Sequence, residues 1–503
     1  MTESLLLVGA RLPGGASVDV SVADGMIQSV GAAGDTPRDP ATRVVDLDGR
    51  VVIPGLWDKH VHATQWALVS RRLDLAAAES ATDAVAIVAE RLRLEGSSSG
   101  SDGSGSGSDG GALIGYGFRD GLWPDVPHRA LLDTVTGARP VILVSADLHC
   151  CWLNSAALAQ HGRAEHPTGL LREEDCFAVT RTLGSVDTET LDGWVRDTAK
   201  AAAARGVVGV VDLEMSWNVD DWTRRIRTGT TELRVRFGIY PQHLDRAIDA
   251  GLVSGALIAG THGLLQVGPF KVITDGSLNT RTAYCFDEYP GLEGQRNSRG
   301  LLTVAYDELV PLLRRATQAG LVPAVHAIGD HANRLALDAF ERLGVGGSIE
   351  HAQLVDEADF ERFARLGVVA GVQPEHAMDD RDVADRYWAG RTGRAFALAS
   401  LLAAGAELAL GSDAPVAPLD PWVTIAAAVG RTGDERPPWH PEQAISVEDA
   451  LFASADGRRS LEAGSPADIA VLDIDPLSAD TDQLRRMPVA ATLLGGRFTH
   501  NAL

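Results

Sequence analysis

The chain opens on short apolar runs broken by polar positions: SLLLVGARL, SVDVSVADGMIQSVG and RVVDLDGRVVIPG. Gly, Asp and Pro punctuate them, the pattern of small β-strands joined by turns. The tail repeats the pattern in GSPADIAVLDID and VAATLLGGRF. Two β-rich ends around a different middle predict one small β-sandwich domain, residues 1–55 plus 456–503. In the middle, strand-length apolar runs alternate with stretches of helical period, which predicts βα units and a parallel sheet. Strands are predicted over 51–62, 207–213, 233–240, 266–274, 321–327, 347–353, 367–373 and 407–413, the number that closes a (β/α)8 barrel. Helices over Tyr306–Ala319, Asp330–Leu343 and Asp356–Leu366 fall between them.

The barrel is assigned to residues 56–455. The stretch 63–206 is too long for one connecting helix and holds the strand-like runs ALIGYGF and PVILVSADLH, so it reads as an insertion after the first barrel strand. Within it, GSSSGSDGSGSGSDGG at 96–111 has no apolar side chain to bury and is predicted to be a disordered loop. The fold class is therefore α/β: a distorted TIM barrel with a small β-domain built from both termini.

Composition narrows the function. Of 503 residues, 45% are hydrophobic and 22% charged, the balance of a soluble globular protein. No run approaches the ~18 consecutive apolar residues of a membrane span, and the start lacks the basic region of a secretory signal. A cytoplasmic protein without membrane partners is expected. With 45 Lys and Arg against 68 Asp and Glu, the formal net charge is −23, which repels nucleic acid phosphates. Four cysteines make no disulfide framework, and the adjacent Cys150 and Cys151 lack the second pair of a cysteine zinc site.

Polar residues recur at the C-terminal ends of the predicted strands, the face where barrel active sites form. Alternation puts His60 and His62 on one side of the first strand, where two imidazoles can bind one divalent ion; alone, the pair reads more simply as histidines at a loop edge. The fifth strand ends AVHAIGD, with His326. The sixth ends IEHAQ, with His351, and the eighth ends ALGSDAPV, with Asp413. Each alone reads as a satisfied polar residue; together, four imidazoles and a carboxylate suit zinc, and nickel, manganese or iron less specifically. Lys271 sits inside the fourth strand, in GPFKVITDGSLNTRTA, where an ammonium is costly to bury. Either it pairs with Asp275 or another carboxylate, or burial lowers its pKa and the neutral amine takes up CO2 as a carbamate.

In order, PGLWDKHVHA, FKVITDGSLNTRTA, VHAIGD, IEHAQ, QPEH and GSDAPV resemble the amidohydrolase superfamily, and within it the YtcJ-like, amidohydrolase-3 branch. LEAGSPADIAVLDIDP resembles the segment that returns the chain to the small β-domain. The resemblance runs from about residue 45 to 475. It implies a metal-dependent hydrolase in which His60, His62 and Asp413 hold one divalent ion and His326 and His351 a second. Carboxylated Lys271 would bridge the two, zinc being favoured. It implies a metal-activated hydroxide, with Asp413, His326 and His351 as catalytic candidates. DLHCCWLNSAAL supplies His149 and Asn154 as substrate-binding candidates, joined by His376 of QPEH and by Arg281, which equally reads as a structural pair in its own loop. PTGLLREED also resembles a family stretch, which would turn Glu173 or Glu174 toward the site; the two read more simply as a solvated acidic loop.

The implied reaction is hydrolysis of a non-peptide carbon–nitrogen bond of a small molecule, such as an N-acyl or N-formyl amine. An esterase, lactonase or deaminase of the same superfamily is the alternative, and a catalytically silent scaffold is a third. A homodimer is expected from size and resemblance.

Overall fold

In the computed structural model, which describes residues 4–34, 40, 42–97, 111–183 and 186–503, eight parallel strands follow one another around a barrel in sequence order. They are β1 (Leu56–Val61), β2 (Val207–Asp212), β3 (Arg234–Ile239), β4 (Leu265–Ile273), β5 (Pro323–Ala327), β6 (Gly347–His351), β7 (Val368–Val372) and β8 (Leu408–Leu410). Every residue of β2 and β5 is buried, as expected of parallel strands covered on both faces. The ring closes where Val61 bridges Ala414 in parallel. There Asp413 N–H donates to His60 O and His62 N–H to Ala414 O, each at 2.7 Å.

The predicted strand over 51–62 is two strands. Val51–Pro54 pairs antiparallel with Ile469–Leu472 in the terminal sheet, and β1 begins after Gly55. The break is steric: a Cβ at Gly55 would lie 2.4 Å from Val208 Cγ1, so only glycine lets the chain pass from one sheet to the other. The eighth strand is shorter than predicted. A Cβ at Gly411 would lie 2.7 Å from His60 N, and Asp413 has a left-handed backbone (φ 57°).

The terminal domain is one continuous mixed sheet. It joins Leu5–Arg11, Ser17–Ala23, Met26–Ala32, Arg43–Asp46 and Val51–Pro54 to Ile469–Leu472, Val489–Leu494 and Arg497–Asn501. Its core includes Leu7, Val20, Ile27, Val471 and Leu493. The insertion carries its own five-stranded sheet, ordered Leu170–Arg172, Cys150–Leu153, Val141–Ser145, Leu113–Phe118 and Leu73–Asp74. Leu75, Phe118 and Trp152 are buried beneath it. The predicted loop at 96–111 lies almost wholly outside the described residues. The four cysteines are buried free thiols.

Helices Tyr306–Gln318, Asp330–Leu343 and Phe360–Leu366 connect β4 to β7. The last two stop at left-handed Gly344 (φ 66°) and Gly367 (φ 63°), the C-terminal cap that glycine makes without steric cost. Their apolar faces join Trp222, Phe237, Phe270, Phe340 and Trp422 in the main core, each such burial stabilising by roughly 1.5–3 kcal/mol. The strand ends that carry chemistry are thus held in a packed wall. Among the described residues, no helix is long and apolar enough to cross a membrane.

Candidate active site

Along β1, Lys59 pairs with Asp456 and lies over the Trp57 ring, outside the barrel. Asp58 is buried at the seam with β8: its Oδ1 accepts from the N–H of His60 (3.1 Å) and of Ser412 (2.9 Å). Burial pushes this carboxyl up to about 7. His60 and His62 both turn inward, and the Nε2 of each lies 3.3 Å from Asp413 Oδ1. The His60 ring is fixed from behind, because its Nδ1 is 2.8 Å from Glu350 Oε2. A carboxylate there makes Nδ1 the donor and leaves Nε2 with its lone pair toward the cavity. Glu350 also accepts from Ser348 Oγ at 2.6 Å. Gly371 makes room for it, since a Cβ would lie 2.7 Å from Glu350 Oε2.

Strand alternation would send Glu350 and His351 to opposite faces. Instead β6 ends in left-handed residues, His351 (φ 75°) and Ala352 (φ 40°), and the His351 ring comes to 5.0 Å from that of His60. Left-handed backbone at a non-glycine residue is strained and persists where surroundings over-determine it; Asp413 shares this property. One ligand atom from each of His60, His351 and Asp413 lies within 4.8 Å of the others. This tightest group takes members from both of the ligand sets that the sequence resemblance separates. His62 flanks it at Asp413, and His326 flanks it at His351, ring centroids 4.4 Å apart. His376, from helix Pro374–Tyr387, places Nε2 3.9 Å from Asp413 Oδ2.

Electrostatics separates these groups. Burial would raise Asp413, but the His60, His62 and His351 rings hold it well below the usual carboxylate range. Burial, then the Lys271 charge, keeps His326 unprotonated; burial and the neighbouring His326 do the same for His351. Burial likewise lowers His60, whereas at His62 it is outweighed by the Asp413 hydrogen bond and charge, so His62 is raised. Burial would raise Glu350, but the His60 hydrogen bond and Lys271 bring it to about 2. Lys271, on β4, is pushed down to about 8 by burial, against the pull of Glu350 and Asp413. It does not pair with Asp275: its Nζ is buried without a hydrogen-bond partner, as are His326 Nε2 and His351 Nδ1. Asp275 instead accepts from the N–H groups of Tyr284, Ile328 and Gly329 at 2.9–3.0 Å and orders the loop after β5.

Buried imidazoles, those of His60, His326 and His351 held uncharged, around an anionic carboxylate, with ring nitrogens left without hydrogen bonds, are the chemistry of a divalent-metal site rather than of a satisfied polar core. His60, His62, Lys271, His326, His351 and Asp413 all line one cavity of about 570 Å³. The insertion roofs it with Leu68, Tyr116, Leu148, Phe177 and Leu183, and His149 and His376 also face it.

Two predicted substrate contacts are corrected. Asn154 does not reach the cavity. Its Oδ1 accepts from the N–H of Val141 (3.0 Å) and Ala157 (2.9 Å), and its Nδ2 donates to Thr136 Oγ1 and Arg139 O, both 2.8 Å. It caps helix Ser155–Gln160 with its hydrogen-bonding capacity spent. Arg281 does not line the cavity; its guanidinium stacks over the Tyr387 ring at 5.3 Å. Sequence reading missed Glu350, although it adjoins His351, because period-two alternation hides it. It also read Glu173 as solvated, whereas Glu173 is bonded to His149.

The family model described as "Amidohydrolase family" matches residues 43–500. The chain belongs to the amidohydrolase family. Within it, the relatives are those of the YtcJ-like, amidohydrolase-3 branch. The putative amidohydrolase YtcJ of Bacillus subtilis is 26% identical over 96% of this chain and 95% of its own length. The N-substituted formamide deformylase of Arthrobacter pascens is 26% identical over 91% of this chain and 90% of its own. An uncharacterized metal-dependent hydrolase from Pyrococcus horikoshii superposes with a TM-score of 0.77, at 25% identity, covering 95% of this amidohydrolase and 99% of that chain. Family and fold make this amidohydrolase a hydrolase on a TIM barrel.

Proposed function

We propose that this amidohydrolase is a metal-dependent enzyme that hydrolyses a non-peptide, amide-type carbon–nitrogen bond in a small molecule, an N-acyl or N-formyl amine. The observation that carries this reading is the convergence of His60, His351 and Asp413 within 4.8 Å on the wall of a roofed cavity. His60, His62 and Asp413 would hold one ion and His326 and His351 a second, with Lys271, as its carbamate, between them. Zinc suits this donor set, and when bound it supplies Lewis acidity and a water that ionises near pH 7.

The chain's own groups supply the rest. Asp413, anionic and turned to both His60 and His62, takes the proton of the attacking water and returns it to the leaving nitrogen. Water adds across the C–N bond, giving a carboxylic acid (formic acid from a formamide) and an amine. Glu350 holds His60 in the tautomer that offers Nε2. His149 and His376 face the carbonyl from the cavity walls. The apolar roof of Leu68, Leu148, Phe177 and Leu183 suits a hydrocarbon substituent on the nitrogen or acyl group, and the cavity is of small-molecule size.

The test is a hydrolysis panel of N-substituted formamides, N-acyl amines, esters and lactones, run with zinc-loaded and chelated enzyme. Turnover of formamides or acyl amines that disappears on chelation is expected. Turnover confined to esters and lactones, or unaffected by chelation, contradicts the reading.

A further inference from the structure

His149 projects from the insertion, between strands Val141–Ser145 and Cys150–Leu153, and lines the cavity. Glu173 stands opposite it, where strand Leu170–Arg172 turns into helix Glu174–Thr180. Its Oε2 is 2.9 Å from His149 Nδ1. Its Oε1 accepts from Thr280 Oγ1 at 3.0 Å and Thr282 Oγ1 at 2.8 Å, both in the loop after β4. The Glu173 N–H closes the pair by donating to His149 O at 2.9 Å. One carboxylate thus joins two loops of the insertion to a loop of the barrel.

The backbone is bent to make this possible. Glu173 has φ 49° and ψ −127°, a region that is essentially glycine's and strained for any other residue. Leu148, beside His149, has φ 62°, and Arg281, between the two threonines, has φ 59°. Gly276 clears space for the Thr282 hydroxyl, which a Cβ would meet at 2.0 Å. A solvated acidic loop requires none of these conformations.

We propose that Glu173 is a positioning residue: it locks the His149 ring with Nδ1–H bound to carboxylate and the Nε2–H edge turned into the cavity, toward the substrate's carbonyl oxygen or leaving nitrogen. The carboxylate only accepts, so Nδ1 carries a proton, and in the imidazolium that this contact favours Nε2 carries the second. Phe177 packs edge-on at 5.4 Å and restricts the ring's swing. The charge environment agrees. Burial would lower His149, but the Glu173 hydrogen bond and charge, with Asp147 and Asp413 behind them, push it up to about 9. His326 and Asp275 also feel its charge. A cationic donor held here stabilises a developing oxyanion without reorganising. The substrate end of this inference rests on the amide-hydrolase reading; the orientation of His149 does not.

The experiment uses zinc-loaded full-length protein with ¹³C-labelled histidine, as wild type, Glu173→Gln, Glu173→Asp and Thr282→Val, with His149→Asn to assign the resonance. Wild-type His149 is expected to titrate well above an ordinary histidine. Glu173→Gln should lower its midpoint by more than about one unit; Glu173→Asp should restore part of the shift, and Thr282→Val should move it less. On a hydrolysed amide, Glu173→Gln should lower kcat by about tenfold or more with KM and zinc content retained. The alkaline limb of its pH profile should move down with the His149 midpoint. An unmoved midpoint in both Glu173→Gln and Thr282→Val, or an unchanged kcat and pH profile in Glu173→Gln, overturns the proposal. If no amide in the panel is hydrolysed, the functional reading and the substrate end of the proposal fail together, while the His149 titration still decides the orientation.

Discussion

Asp413 carries two demands that are separable by mutation. It closes the His60–His62 edge of the cluster, each Nε2 lying 3.3 Å away, and it is the proton acceptor of the proposed reaction. Asp413→Asn keeps an oxygen for the cluster and loses the basicity. Steady-state kinetics should therefore show kcat lower by about 10²–10⁴-fold, with at least half the zinc retained by elemental analysis. Wild-type kcat in this variant would remove Asp413 from proton transfer. Lys271 gives a second residue-scale prediction, with a sign. Its amine is pushed down to about 8 by burial, so only the neutral fraction above that value reacts freely with CO2, and about 1% is neutral at pH 6. Activation of metal-free enzyme by zinc plus bicarbonate should be faster at pH 8 than at pH 6, and Lys271→Met should abolish the bicarbonate dependence. Equal rates at both pH values would contradict a carbamate at this position. What was legible in the sequence at this scale is what strand ends make regular: His60, His62, His326, His351 and Asp413 stand where barrel strands finish, and the structure gathers them around one cavity. Glu350 was hidden because left-handed His351 and Ala352 break the alternation on which such a reading depends.

The elements explain why one predicted substrate contact is structural. Asn154 resembles a motif residue, yet its four hydrogen bonds tie strand Val141–Ser145 and helix Ser155–Gln160 to Thr136 and Arg139. Asn154→Ala should lower unfolding stability by on the order of 1–3 kcal/mol, read as a lower denaturant midpoint, with KM unchanged in the folded enzyme. A raised KM at unchanged stability would reverse the correction. The barrel strands were legible because parallel strands buried on both faces read as continuous apolar runs such as VVGVVD. The split at Gly55 was not, because the crowding that forces it comes from Val208, about 150 positions away. In the insertion, two of five strands were visible. Leu73–Asp74 and Leu170–Arg172 are too short to show a period and exist through their sheet partners.

Across the whole molecule, the barrel and its inserted roof enclose one cavity. The roof is pinned across the mouth by Arg119, paired with Asp379 at 2.8 Å, and by Ser277, whose hydroxyl donates to Asp147 at 2.8 Å. An ion bound by residues from β1, β5, β6 and the loop after β8 links the ends of the barrel, so it should stabilise the fold by mass action. Zinc at a hundred times its Kd adds about 2.7 kcal/mol. Calorimetry should show a higher unfolding temperature for the zinc-loaded than for the chelated protein, and His60→Ala should remove most of that difference. Equal temperatures with and without zinc would mean the ion does not bind the folded cluster.

The proposed divalent-metal centre draws on side chains as far apart in sequence as His60 and Asp413. The most direct test is an anomalous-scattering map from crystals grown with zinc, collected on both sides of the zinc absorption edge. One or two peaks per chain are expected, each bonded to at least two of His60, His62, His326, His351 and Asp413. A fully ordered cluster with no anomalous peak among these residues, or with zinc bound only elsewhere, would contradict it.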